Sequence, residues 1–106
     1  MKGERLGEFE ELLLLAAQAV PDGDCSVVEI QQYLERVTER RLSLGAVYAG
    51  LDRLELKGCV RSTLGEVTRQ RGGKRKRIFA VTGEGRRLAR DARRVRDAIW
   101  RTIEGR

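Results

Sequence analysis

The sequence predicts a mainly α domain carrying one small β-hairpin. Three observations point there. A serine-capped, glycine-terminated segment runs from Ser43 to Gly58, two short β-prone runs flank a glycine-containing loop, and an arginine-rich segment of heptad character follows. At 106 residues the chain has room for one domain with a modest core. Two Phe, two Tyr and one Trp leave that core to Leu, Val, Ile and Ala.

The first helix is predicted over Leu6 to Ala19, with Leu6, Phe9, Leu13, Ala16 and Ala17 on one face. Leu12, Leu14 and Leu15 widen the apolar arc, so this helix should be buried on more than one side. In so small a chain, the second side falls to another subunit. The apolar run from Leu12 to Val20 is too short to cross a bilayer. It also follows Glu8, Glu10 and Glu11, where a secretory signal needs positive charge. A cytoplasmic protein without a membrane partner is therefore expected. Pro21 to Asp24 form a turn. Ser26 with Glu29 is a capping box for the second helix, in which Glu29 reaches back to the cap amide. Val27, Ile30, Leu34 and Val37 then repeat at helical spacing, and Thr38 to Leu42 make a short basic link.

Ser43 caps the third helix. Leu44, Val47, Leu51 and Leu54 should pack inward, with Gly45, Ala46, Ala49 and Arg53 opposite and Tyr48 and Asp52 on the flank. Gly58 is placed for a left-handed C-terminal cap. Small residues on the outer face suit a helix–helix contact, and equally suit close approach to base edges. The following hairpin decides between these. Its strands are expected at Cys59 to Leu64 and Lys76 to Val81, and the Arg69 to Arg77 segment at its tip carries Arg69, Arg71, Lys74, Arg75, Lys76 and Arg77 without an acid. An isolated charge run is most often a solvated face. Beside a helix of this kind, the mutual repulsion of so many cations favours an anionic partner. The expected double-stranded DNA contacts are Ser43, Gly45, Ala46, Tyr48, Ala49 and Arg53 from the helix. Arg71, Gly72, Gly73, Lys74, Arg75, Lys76 and Arg77 supply those from the hairpin, where the Gly pair lets amides approach a phosphate.

Thr82 caps the last helix, although Gly83 and Gly85 weaken its start. Leu88, Ala92, Val95 and Ile99 recur at alternating four- and three-residue steps, with Ile103 just beyond. This helix is expected to be an arm joining two copies. The expected dimer interface is Leu6, Phe9, Leu12 and Leu13 from the first helix with Leu88, Ala92, Val95, Ile99, Trp100 and Ile103 from the last. Residues 1–81 then form the DNA-binding domain and 82–106 the dimerisation helix, in one structural unit.

Composition narrows the function classes. A net charge of +6 and a pI near 10.0 favour an anionic partner. With no histidine, the commonest general base and metal ligand are missing. Cys25 and Cys59 match no metal-ligand spacing and read as small apolar residues in a reduced compartment. Phosphate-loop, zinc-protease and nucleophile-elbow motifs are absent from the sequence. Neither an enzyme, a metal nor a cofactor is expected. The alternative is an adaptor that binds another protein and uses its basic hairpin only for solubility. An RNA binder ranks below both, since no sheet carries stacking aromatics.

Three helices, a hairpin and a terminal helix make a winged helix-turn-helix. Four motifs carry a closer resemblance: Leu6-Gly7-Glu8-Phe9-Glu10; Ser43 to Tyr48 with Leu51 to Glu55 and Lys57-Gly58; Gly65-Glu66 through Arg71-Gly72-Gly73 to Lys76-Arg77; and Val81 to Gly85. In that order they resemble the PadR family of bacterial transcriptional regulators, in its short form with a single terminal helix. The resemblance implies a homodimer held by the first and last helices and bound to an inverted-repeat operator, usually as a repressor. It also implies that Ser43 to Ala49 enter the major groove while the wing lies on the flanking groove. Cys25-Ser26-Val27-Val28 departs from the aromatic-glycine start common in the family's second helix. Some short members bind flat aromatic compounds between subunits through a tryptophan of the terminal helix, so the resemblance admits a small-molecule effector. Trp100 by itself reads first as an amphipathic residue sealing the dimer end.

Overall fold

A computed structural model describes residues 6–21, 25–67 and 75–106, and of residues 66, 67 and 75 the backbone alone. In chain order the elements are α1 (Glu8–Ala19), α2 (Val27–Thr38), α3 (Leu44–Leu56), β1 (Val60–Val67), β2 (Arg75–Val81) and α4 (Gly83–Glu104). The expected turn at Asp22 to Asp24 and the hairpin tip from Arg69 to Lys74 lie outside the described residues.

Each helix begins where a side chain or carbonyl can take its first amides. The Ser26 hydroxyl accepts from the Glu29 amide, that of Ser43 from Ala46, and that of Thr82 from Gly85. At α1, Gly7 stands in the cap position and the Glu10 carboxylate takes the Gly7 amide at 2.8 Å. That half of a capping box starts the helix at Glu8 rather than at Leu6. Glu29 differs from expectation in its partner, since its carboxylate accepts from the Ser26 hydroxyl. Gly58 ends α3 with a φ of 78°, the left-handed geometry that favours glycine. Glu39 closes α2 in the same region with φ 57°.

The three α1–α3 helices enclose the core. Leu13, Leu14, Ile30, Val47, Leu51 and Leu54 are fully buried there, with Cys59, Val60 and Phe79 closing the side toward the hairpin. Two residues expected inside are not. Val37 and Leu44 are exposed, one in the last turn of α2 and the other at the first residue of α3. The strands pair antiparallel from Val60↔Val81 to Leu64↔Arg77, and a register shift follows before Val67↔Arg75. Both strands therefore run beyond their expected ends toward the tip, and β1 begins at Val60. A third, minimal strand contact comes from the approach to α2, where the Cys25 carbonyl accepts the Phe79 amide at 2.8 Å.

The start of α4 rests on the hairpin root. Gly85 and Ala89 are buried, and past Ala92 every residue except half-buried Asp97 is exposed. The weak start is thus a close-packed one: a Cβ on Gly85 would stand 2.2 Å from the Cys59 carbonyl oxygen, whereas one on Gly83 would meet nothing within 4 Å. Among the described residues, no helix is long and apolar enough to cross a membrane.

Gly85→Ala should accordingly lower unfolding stability by about 1–3 kcal/mol through overpacking. Gly83→Ala should leave it equal or raise it by up to about 1 kcal/mol. Urea denaturation of the two variants beside wild type checks the pair.

Candidate nucleic-acid interface

The inward face of α3 is fixed at three levels. Val47, Leu51 and Leu54 carry the apolar contact. Gly50 lets α1 come close: a Cβ there would lie 2.3 Å from Leu13 Cδ1 and 3.5 Å from the Phe9 ring. At the far end, the Glu10 carboxylate receives Lys57 Nζ at 2.6 Å and Arg53 Nε at 3.1 Å while holding the Gly7 amide. Glu10 is 6 % exposed, so it is a nearly buried charge with both oxygens engaged. Burial is the largest single influence on this carboxyl and pushes its pKa up. Lys57, the Gly7 amide and Arg53 together outweigh burial and hold it below 4.5.

With that face fixed, the opposite one is set free. Gly45, Ala46, Ala49 and Arg53 are exposed, as are Ser43 and Tyr48, and the first turn of α3 carries no acid. The positive end of the helix dipole therefore opens onto a low, uncharged surface. The link before α3 is pinned by α2, where Gln31 Nε2 donates to the Leu42 carbonyl at 2.8 Å and Glu35 accepts the Leu42 amide at 2.7 Å. The angle at which α3 leaves that turn is thereby set by two side chains of α2.

Of the expected hairpin contacts, Arg71, Gly72, Gly73 and Lys74 lie outside the described residues, and Arg75 is described by its backbone alone. Lys76 and Arg77 are both engaged within the protein. Lys76 Nζ stands 3.3 Å from Glu29. Arg77 Nη2 reaches Glu55 at 2.8 Å and Asp52 at 3.2 Å, and its guanidinium lies over the rings of Phe79 and Tyr48. Glu55 also accepts from the Ser62 amide and hydroxyl, at 3.2 Å and 2.9 Å. The Ser62 hydroxyl is the largest influence lowering the Glu55 pKa, and the Ser62 amide and Arg77 add to it. Helix and hairpin are thus tied by charge and ring contact. Arg53 remains exposed while bound to Glu10.

The apolar residues expected at a dimer interface divide into two groups. Leu13 is fully buried in its own protomer, and Leu6, Phe9 and Leu88 pack half-buried against the same core, with Ala92 half-buried nearby. Leu12, Val95, Ile99, Trp100 and Ile103 are exposed, and Leu15, read from sequence as part of the widened apolar arc of the first helix, joins them. Between the two sets Arg96 Nη2 meets Glu11 at 2.7 Å. Cys25 and Cys59 are buried thiols not joined in a disulfide, and Cys25 Sγ donates to the Ala17 carbonyl at 3.5 Å. Burial foremost, then the Glu84 charge, pushes the Cys59 thiol up, away from nucleophilic character. Among the described residues, no group of His, Cys, Asp and Glu could hold a metal.

Residues 18–91 match the family model described as the transcriptional regulator PadR-like family. No match emerges among curated proteins. The fold is similar to that of a PadR-like transcription factor from Bacteroides fragilis, with TM-score 0.74, 16 % identity, and coverage of 92 % of this chain and 87 % of that one. It is similar to a PadR family transcriptional regulator from Eggerthella lenta, with TM-score 0.70, 17 % identity, and coverage of 92 % and 84 %. It is also similar to part of the Aeropyrum pernix Orc1 protein, solved in complex with DNA, with TM-score 0.61 and 26 % identity over 82 % of this chain and 23 % of that one.

The Glu10 clamp yields a pH-dependent expectation. A carboxylate whose folded pKa is depressed stabilises the fold above its unfolded value, and that contribution is lost as pH falls through the folded value. Glu10→Gln should therefore lower stability by about 1–3 kcal/mol at pH 7. The gap to wild type should close as the pH is taken below 4.5. Thermal unfolding of both proteins across that range is the check; a gap that stays constant would show the clamp to be uncharged in effect.

Proposed function

The chain belongs to the PadR-like family of transcriptional regulators, and from that premise we propose that it binds double-stranded DNA as a homodimer. In this reading the outer face of α3 enters the major groove of each half of an inverted-repeat operator, the basic hairpin lies on the flanking backbone, and occupancy represses. The observation that carries it is the exposed, acid-free N-terminal half of α3, held outward by Gly50 and Glu10 beside the hairpin. Ser43, Gly45, Ala46 and Ala49 supply close approach, and Tyr48, 39 % exposed, supplies a hydroxyl and a ring edge for base contact. Arg53 extends toward phosphate. Arg71 to Arg75 give the sequence-independent attraction. The Orc1 likeness supports this reading, since that protein was solved with DNA.

Dimerisation is supported by the apolar residues that one protomer leaves uncovered. Val95, Ile99 and Ile103 lie on one stripe of α4, Trp100 stands beside it, and Leu12 and Leu15 present a matching surface on α1. Residues 82–106 are in this reading the dimerisation arm. A second copy covers both sets at once and spaces the two α3 helices for successive major grooves, about 10 bp apart. Trp100 seals the end of that contact, and no effector is assigned to it.

Duplexes enriched from a random-sequence pool by the wild-type protein supply the probe. Anisotropy titrations should show binding that weakens steeply with salt yet survives excess scrambled duplex. Equal weak binding to both duplexes would instead favour the protein-binding adaptor. Tyr48→Ala should lower discrimination between the duplexes by roughly tenfold, the scale of one base contact. Lys74→Ala with Arg75→Ala should weaken binding to both alike. Ile99→Asp, at a site exposed in the protomer, should leave the melting temperature of a dilute sample unchanged. It should also convert a sedimenting dimer to a monomer and abolish tight operator binding; a variant that remains dimeric would remove α4 from the interface.

A further inference from the structure

Arg77 is placed by sequence among the wing cations, and its surroundings give it a different task. Tyr48, Asp52 and Glu55 follow one another at four- and three-residue steps along α3, which puts them on the stripe of that helix that faces the hairpin. Across from them stand Ser62 of β1 with Arg77 and Phe79 of β2. The Arg77 guanidinium fills the space between. One nitrogen, Nη2, reaches both carboxylates, at 2.8 Å for Glu55 and 3.2 Å for Asp52. The guanidinium carbon is 4.9 Å from the centroid of the buried Phe79 ring and 6.0 Å from that of the exposed Tyr48 ring.

We propose that Arg77 is a positioning residue for specificity: it offsets part of the charge of Asp52 and Glu55 and fixes Tyr48 and the hairpin angle, and it does not bind phosphate. This rests on the DNA-binding reading above. Two carboxylates on a helix that approaches phosphates would repel them. A cation bound between the carboxylates halves their net charge, and so weakens that repulsion, without touching DNA. Phe79 anchors one flank of the guanidinium in the core, so its position is set by the fold. Tyr48 at the other flank is set in turn, which pre-organises the ring before DNA arrives. The Ser62 contacts to Glu55 carry the same constraint into β1. The planar guanidinium lies against the two rings while its Nη2 meets the carboxylates, and a lysine would keep the charge while losing the planar contact with the rings.

The test uses the full chain and a duplex enriched by the wild-type protein, with its scrambled counterpart, after melting curves establish that each variant is folded. Arg77→Lys and Arg77→Gln should each lower discrimination about tenfold, on the scale of one base contact. Both should keep the wild-type dependence of binding on salt. Glu55→Gln should lower discrimination too, although it removes a negative charge from the helix that meets DNA, because it releases Arg77. The proposal is overturned by any of three results. Arg77→Lys could retain wild-type discrimination. Arg77→Gln could reduce the salt slope by about 0.9, the signature of one lost phosphate contact. Glu55→Gln could tighten binding to both duplexes alike. If Arg77→Gln does not fold, Arg77→Lys and Glu55→Gln carry the test. Failure of the DNA-binding reading is recognised separately and earlier, when the wild-type protein enriches no duplex at all, and that result removes this inference with it.

Discussion

Everything outward-facing in this protein depends on how α1 grips α3. Glu10, nearly buried, draws in Lys57 and Arg53 from the last turn of α3 and holds its own helix start through the Gly7 amide. At the middle of α3, Gly50 leaves the gap that Leu13 fills. A buried carboxylate is unfavourable unless its oxygens are engaged, and here both are. The charge clamp and the steric notch together set the rotation of α3 about its own axis. That rotation decides which residues point out: Gly45, Ala46, Tyr48 and Ala49 rather than Val47 and Leu51.

A similar economy governs the hairpin. Its root is joined to the core by Phe79 and Val60, to the start of α2 by the Cys25 carbonyl, and to α3 by the Glu55 contacts. These attachments fix the described part of the hairpin against α3, so that helix and wing present a single surface. The first turns of α4 pack on its own domain, and Arg96 further along meets Glu11 of α1. The remainder carries its apolar stripe into solvent, and this is the physical reason for expecting a second copy there.

The parts legible in the sequence are those set by near neighbours. Ser26, Ser43 and Thr82 mark helix starts, and Gly58 a helix end, because caps act within a few residues. The apolar spacing of α1, α2 and α3 gives the core except at Val37 and Leu44, which stand at helix ends and are exposed. What could not be read depends on partners far along the chain. Glu10 meets residues 43 and 47 positions away, and no local pattern distinguishes it from its acidic neighbours Glu8 and Glu11. Arg77 sits in a run of cations that looks uniform in sequence, yet the β-pairing turns it toward α3. Gly85 reads as a poor helix former, and only the packed structure gives the reason for a glycine there. Leu13 belongs to both an apolar stripe and a plausible interface, and burial assigns it to the core.

The central claim is that two copies of this chain read an inverted repeat through paired α3 helices. Hydroxyl-radical footprinting of the wild-type protein on its enriched duplex tests it most directly. The account predicts two protected clusters related by a dyad, with centres about 10 bp apart and lighter protection outside each where the hairpins lie. A single cluster, or two with no dyad relating them, would contradict it.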